Sequence, residues 1–96
     1  MQNLSWRQKY VLGLKESLTI KEIMQLRDCG QPKATKIRDK SIEFCIKNNI
    51  ELGSRKVPTD VVFQVTNLDL SYYYKKMVQE NKMFNLSEVE NGNIQG

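Results

Sequence analysis

The stretch LTIKEIMQLRDCGQPKATKIRDKSIEFCIKNN, residues 18–49, decides the fold of this 96-residue chain. Near its start, Thr19 and Glu22 stand three residues apart, which is the spacing of a capping box. In that motif each side chain accepts a hydrogen bond from the backbone amide of the other residue, which satisfies two amides that a helix start leaves unpaired. Apolar residues then recur at helical spacing, so we expect a helix from Thr19 to about Asp28.

A second, longer helix is expected after a turn at Gly30. Glycine adopts the backbone conformations of tight turns without steric cost, and Pro32 suits the first position of a helix because its missing amide would be unpaired there anyway. No further glycine or proline interrupts the chain before Asn48. At about 100° per residue, the residues expected in the core fall on one face of this helix: Ala34, Ile37, Ser41, Phe44 and Cys45. The lysines fall on another face: Lys33, Lys36, Lys40 and Lys47. Residues 19–48 are therefore predicted to form a helix-turn-helix with a lysine stripe on its second helix.

The lysine stripe has two interpretations. A solvated lysine face is common on surface helices and needs no ligand. A DNA-binding face is the alternative, because the second helix of a helix-turn-helix enters the major groove and contacts phosphates and base edges. The candidate DNA-binding residues of this helix are Gln31, Thr35 and Arg38 for base edges, and Lys33, Lys36 and Lys40 for phosphates. Arg38 lies nearer the core side and could instead be structural.

Charge is distributed unevenly along the chain. Residues 1–57 hold 12 Lys and Arg against 6 Asp and Glu, and residues 58–96 hold 3 against 5, within a net charge of +4. The basic excess coincides with the predicted helix-turn-helix, as phosphate binding would require. A basic protein whose lysines are merely solvated would show the same totals, so charge alone does not decide between the two interpretations.

Residues 50–57, IELGSRKV, are expected to form a short β-hairpin, or wing. Gly53-Ser54 suits a two-residue type II′ turn between apolar strand residues. Arg55 and Lys56 would then lie near the tip, where they could follow a phosphate backbone or enter the minor groove. An ordinary polar loop is the alternative.

Further helices are expected on both sides of this unit. Ser5 could cap a short amphipathic helix near the N-terminus, and Pro58 suits the first turn of a helix after the wing. Residues 58–82 are predicted to hold the C-terminal helices of a single domain, residues 1–82, followed by a flexible tail, residues 83–96. The predicted fold class is thus mainly α: a small winged helix-turn-helix domain with a short β-hairpin and a C-terminal helix.

Three consecutive tyrosines occupy positions 72–74. They cannot all be buried on one helix, because successive side chains point about 100° apart. We expect Tyr73 to face inward. Tyr72, Tyr74 or the tail could shield the surface, stack on a nucleotide base, or contact a second copy of the chain or another protein partner.

The order of a capped helix, a turn, a lysine-bearing helix, a basic hairpin and a helix starting VPTDV resembles the excisionase-type winged helix-turn-helix domains, relatives of the MerR-type regulators. The matching stretches are LTIKE, residues 18–22, and GSRKVPTDV, residues 53–61, and the resemblance spans about residues 18–68. It implies a small protein of phage or mobile-element type that binds double-stranded DNA, bends it, or regulates promoters. By position it assigns DNA contacts to Gln31, Lys33, Thr35 and Lys36, and wing contacts to Arg55 and Lys56.

Other classes of function find less support. The chain has no histidine, no P-loop and no dinucleotide fingerprint, so we expect neither an enzyme nor a cofactor. If residues 32–48 form one continuous helix, Cys29 and Cys45 lie roughly 20 Å apart along its axis, which is too far for a disulfide. Without histidine, two isolated cysteines do not indicate a metal site. The chain shows no apolar run long enough for a membrane and no secretory signal, so a cytoplasmic location is expected. The remaining alternative to DNA binding is a protein-interaction module, such as a small phage-type inhibitor or adaptor.

Overall fold

The computed structural model of the protein describes the backbone of residues 4–53 and 55–90 and the side chains of residues 4–53 and 55–82. The elements in this part of the chain are α1 (Trp6–Gly13), β1 (Ser17–Leu18), α2 (Ile20–Arg27), α3 (Gln31–Lys47), β2 (Val57–Pro58), α4 (Thr59–Thr66) and α5 (Leu70–Glu90). A mainly helical chain with one small antiparallel sheet confirms the fold class that the sequence predicts.

Two capping boxes define the starts of α1 and α2. The Ser5 hydroxyl accepts a hydrogen bond from the Gln8 amide at 3.1 Å, and the Gln8 side chain accepts one from the Ser5 amide at 2.9 Å. The corresponding distances between Thr19 and Glu22 are 3.2 and 2.9 Å. The predicted caps at Ser5 and Thr19 are therefore confirmed.

A short turn joins α2 to α3. Asp28 ends α2 with a left-handed φ of 50°, and its amide donates to the Met24 carbonyl. α3 then begins at Gln31, with proline in its first turn. The residues of α3 that are buried are Ala34, Ile37, Ser41 and Cys45. The core face predicted for the second helix is confirmed at these four positions.

The two-stranded sheet has a different pairing from the expected wing. Val57-Pro58 pairs with Ser17-Leu18, and residues 50–53 belong to no strand, while Ser54 lies outside the described residues. The hairpin predicted within residues 50–57 is therefore wrong in its pairing. Leu18 and Val57 are 0% and 2% exposed, so this pairing buries two apolar side chains in the core. An isolated hairpin of such short strands has no comparable source of stability.

The last two helices complete the core and extend beyond it. α4 buries Val61, Val62 and Phe63. On α5, Tyr73 is 1% exposed, as predicted, whereas Tyr72 and Tyr74 are 38% and 50% exposed.

α5 continues to Glu90, so residues 83–90 of the segment predicted as a tail are helical. These residues contain no glycine or proline, and each residue added to an existing helix forms one more backbone hydrogen bond. Loss of the apolar pattern therefore does not end the helix. Residues 91–96 lie outside the described residues. In the described part of the chain, α5 included, no helix combines the length and the apolar character needed to cross a membrane.

α3 is packed between its neighbours. α2 and α4 both contact it, and α1 packs against α5 and α2. The core cluster consists of Leu18, Ile23, Leu26, Ala34, Ile37, Val57, Val62, Phe63 and Tyr73. This packing holds one face of α3 inside the molecule and leaves the side chains on its two flanks and its outer face in contact with solvent.

Candidate nucleic-acid interface

Three predicted phosphate-binding residues lie together on one flank of α3. The side chains of Lys33, Lys36 and Lys40 are exposed, and they recur at a spacing of three or four residues, which places them on one side of a helix. Together with Arg27 they line a cavity of about 250 Å³ between α2, α3 and α4. We call these four residues the lysine flank.

The other predicted basic residues lie on a second flank. Arg38, Arg55 and Lys56 line a groove of about 520 Å³, in which Lys21 of α2 joins them. The floor of the groove is apolar and includes Ile20, Ile42 and Leu52. We call Lys21, Arg38, Arg55 and Lys56 the loop flank, because two of them belong to the loop before β2.

The eight predicted residues therefore do not form one cluster. Lys36 and Arg38 are two positions apart, which is about 200° around a helix. The lysine flank and the loop flank thus lie on opposite sides of α3. Gln31 and Thr35 line neither of the two cavities: Gln31 is exposed in the first turn of α3, and Thr35 is half-buried.

The outer face of α3, between the flanks, carries two exposed carboxylates, Asp39 and Glu43. Carboxylates repel phosphates, but they can accept a hydrogen bond from the amino group of cytosine. The outer face is therefore better suited to base edges than to a phosphate backbone. The cations that could meet a phosphate backbone lie on the two basic flanks.

Most charges on the two flanks have no carboxylate partner among the described side chains. The ion pairs among the described side chains are Lys9–Asp28, Lys15–Glu22 and Arg38–Asp39. Arg38 is thus the single member of either flank that forms an ion pair within the described part, and its Nη2 donates to Asp39 at 3.3 Å. Its buried Nε and that of Arg27 have no hydrogen-bond partner among the described atoms. The exposed charged groups of the flanks, and not these buried nitrogen atoms, are therefore the ones accessible to an external anion.

Two site residues, Arg27 and Lys21, were not predicted from the sequence. Arg27 lies in the last turn of α2, directly before the turn, and its apolar neighbours make it look like part of the core stripe. Lys21 lies inside the capping box and is exposed. The sequence feature that could have identified them is their position in α2, the helix that packs against α3.

The remaining polar chemistry does not indicate a metal centre. Within the described residues, no group of three or more His, Cys, Asp or Glu side chains could hold a metal ion. Cys29 and Cys45 are free thiols, and Cys45 is buried beside the core.

Comparison of the chain with protein-family models, with curated protein sequences and with solved structures found no match. The resemblance to excisionase-type domains stays a prediction that rests on residues 18–22 and 53–61.

Proposed function

We propose that the protein binds double-stranded DNA in a sequence-specific manner. The observation that supports this proposal is the arrangement of two basic flanks on opposite sides of α3. The major groove is about 12 Å wide and admits a helix, and a phosphate backbone runs along each of its edges. Cations on both flanks of a helix in this groove would each face a phosphate backbone, and α3 has cations on both flanks.

The two flanks have distinct roles in this proposal. Lys33, Lys36 and Lys40, with Arg27, neutralise phosphates of one strand, and the loop flank neutralises phosphates of the other. Arg38 belongs to the loop flank, so we assign it to the backbone instead of the base edges that its position in the sequence suggested. Gln31 and Thr35 are the residues assigned to base edges.

The class of DNA-binding protein in this proposal follows from the small size of the chain and from its resemblance to excisionase-type domains. A transcriptional regulator or an excisionase-like recombination accessory factor, of phage or mobile-element type, fits a single domain with one recognition helix. Such a protein acts in the cytoplasm, where that DNA is replicated and transcribed.

Charge reversal on the lysine flank tests the proposal. The variant K36E/K40E should lose affinity for a duplex, because two phosphate contacts become repulsive. For the wild type, the logarithm of the binding constant should fall with the logarithm of salt concentration by about 0.9 for each neutralised phosphate, and the variant should lower this slope by about 2. Titration of a labelled duplex at several salt concentrations measures both quantities.

The matched control is K75E/K82E, which makes the same change in net charge at two exposed lysines of α5. It should retain most of the affinity, because α5 does not contribute to either flank. Two results would contradict the proposal: absence of duplex binding by the wild type at low ionic strength, or equal losses in the two variants. A selection of bound sequences from random DNA then identifies the target.

A protein-interaction module is the second candidate function. The observation that favours it is the exposure of Tyr72 and Tyr74, at 38% and 50%, on one helix. Exposed tyrosines are common anchors of protein interfaces. Their contact could be with a second copy of the chain or with another protein.

A further inference from the structure

The cavity of the lysine flank has features that a general DNA surface does not require. Its four cations come from two helices, with Arg27 on α2 and three lysines on α3. Ile37 of α3 and Val65 of α4 provide apolar walls, and Thr66 provides a hydroxyl. The charges therefore surround a concave site of about 250 Å³ and do not lie on a flat face.

Four of the residues that line this cavity are cationic, and none is a carboxylate. Lys33 and Lys36 are three positions apart and Lys36 and Lys40 four apart, and like charges at such spacings destabilise a helix. The ion pairs of the described side chains do not include any of the four. A bound anion would remove the repulsion, so the unliganded cavity favours anion binding.

Arg27 has the most constrained position of the four cations. It is half-buried, and its Nε is buried without a hydrogen-bond partner among the described atoms. That Nε atom is not exposed to the cavity, and the guanidinium also lies beside the Tyr73 hydroxyl. Arg27 therefore contributes a positive charge held in place at the wall of the cavity.

We infer that this cavity is a discrete binding site for a phosphoryl group. The volume is below the range of about 300–1,000 Å³ that is typical of pockets for drug-sized ligands, so a small anionic group fits better than a large organic molecule. A phosphoryl group has several oxygens arranged around one atom, and it can accept from several ammonium groups at once. The group can belong to a DNA backbone or to free phosphate, and the site is defined by the chemistry they share.

Titration of the ¹⁵N-labelled full chain with inorganic phosphate tests the inference, with sodium chloride added to keep the ionic strength constant. The expected result is a saturable change in amide chemical shifts at residues 27, 33–40 and 65–66. R27Q and K40Q should each raise the apparent dissociation constant for phosphate by about tenfold, because each removes one positive charge from the lining of the cavity. K40Q changes an exposed residue, so it remains informative if R27Q disturbs the fold.

K75Q is the matched control, because it removes one positive charge at an exposed lysine of α5, outside both flanks. It should leave phosphate binding unchanged. Shifts that do not saturate, shifts that are equally large at Lys21, Arg55 and Lys56, or an equal loss in K75Q would overturn the inference. In each case phosphate would bind through general electrostatic attraction and not at a discrete site.

A second arm with duplex DNA identifies the source of the phosphoryl group. If R27Q weakens both phosphate and duplex binding, the site holds a backbone phosphate. If R27Q weakens phosphate binding alone, the site holds a free phosphoryl compound. A wild type that binds phosphate but no duplex would refute the proposed function and leave the inferred phosphoryl site standing. Duplex binding without saturable phosphate binding would refute the phosphoryl site and leave the proposed function standing.

Discussion

At the scale of single residues, the ionisation of Glu22 makes the stability of the start of α2 depend on pH. Burial raises the pKa of its carboxyl, but hydrogen bonds from Lys15 and from the Thr19 amide, together with the nearby positive charge of Lys15, outweigh burial. The net result is a pKa below the ordinary value of a glutamate. The ionised carboxylate therefore stabilises the folded state.

The variant E22Q should show this contribution as a pH-dependent difference in stability. Because the pKa is lower in the folded state, the stabilisation is present above the ordinary glutamate pKa of about 4.3 and is lost as the pH falls through the folded value. The difference in free energy of unfolding between wild type and E22Q should thus be largest near neutral pH and shrink in acid. Urea unfolding at a series of pH values measures it.

E43Q provides the control, because Glu43 is exposed on α3 and forms no ion pair among the described side chains. Its difference from the wild type should stay small throughout. If the E22Q difference were the same in acid and at neutral pH, the capping carboxylate would contribute nothing through its charge.

At the scale of elements, one ion pair holds α1 against the end of α2. Lys9 is 4% exposed and pairs with Asp28, the residue that ends α2. Its ammonium group also lies 4.2 Å from the centre of the Trp6 ring. A lysine this buried needs its partner, because an unpaired buried charge is costly.

D28N should lower the free energy of unfolding by about 1–2 kcal/mol. Asparagine tolerates the left-handed conformation of this position, so the loss comes from the missing charge. The estimate is modest because the Asp28 side chain is 40% exposed and water screens part of the attraction. Chemical denaturation at neutral pH measures the change.

The double variant K9M/D28N should recover part of that loss, since replacing a buried pair by apolar groups is often neutral or stabilising. D39N, at the exposed partner of Arg38, should change stability little. A D28N protein as stable as the wild type would mean that Lys9 has another compensating partner.

At the scale of the whole molecule, the basic flanks and the exposed tyrosines belong to different parts of the fold. The flanks surround α3, whereas Tyr72 and Tyr74 lie on α5, which packs against α1. Trp6 and Tyr10 of α1 have ring centres 6.0 Å from Tyr72 and 5.6 Å from Tyr74, respectively. The two candidate functions can therefore be separated by mutation.

Y74S should change the affinity for duplex DNA by less than about twofold, because long-range effects of a neutral substitution on separate sites are small. The same titration that is used for K36E/K40E measures it. A strong loss of DNA binding in Y74S, with the fold intact by circular dichroism, would show that Tyr74 takes part in DNA binding. Loss of function in cells without loss of DNA binding would favour the protein-interaction alternative.

Much of the fold could be predicted because its signals are local. The capping boxes at Ser5 and Thr19 and the apolar face of α3 depend on residues within a few positions of one another. The candidate site was predicted less completely. Six of its predicted residues lie on the two basic flanks, but the participation of Arg27 and Lys21 depends on how α2 and α4 pack against α3.

The amino-acid sequence by itself determined where α1, α2 and α3 begin and which face of α3 is buried, because capping and helical periodicity act through neighbouring residues. Only the tertiary structure decided that Val57-Pro58 pairs with Ser17-Leu18 and which residues of α2 and of the loop before β2 join the basic residues of α3. Both outcomes depend on contacts between residues far apart in the chain. Their free energy comes from the apolar surface that the whole core buries, and no local pattern records it.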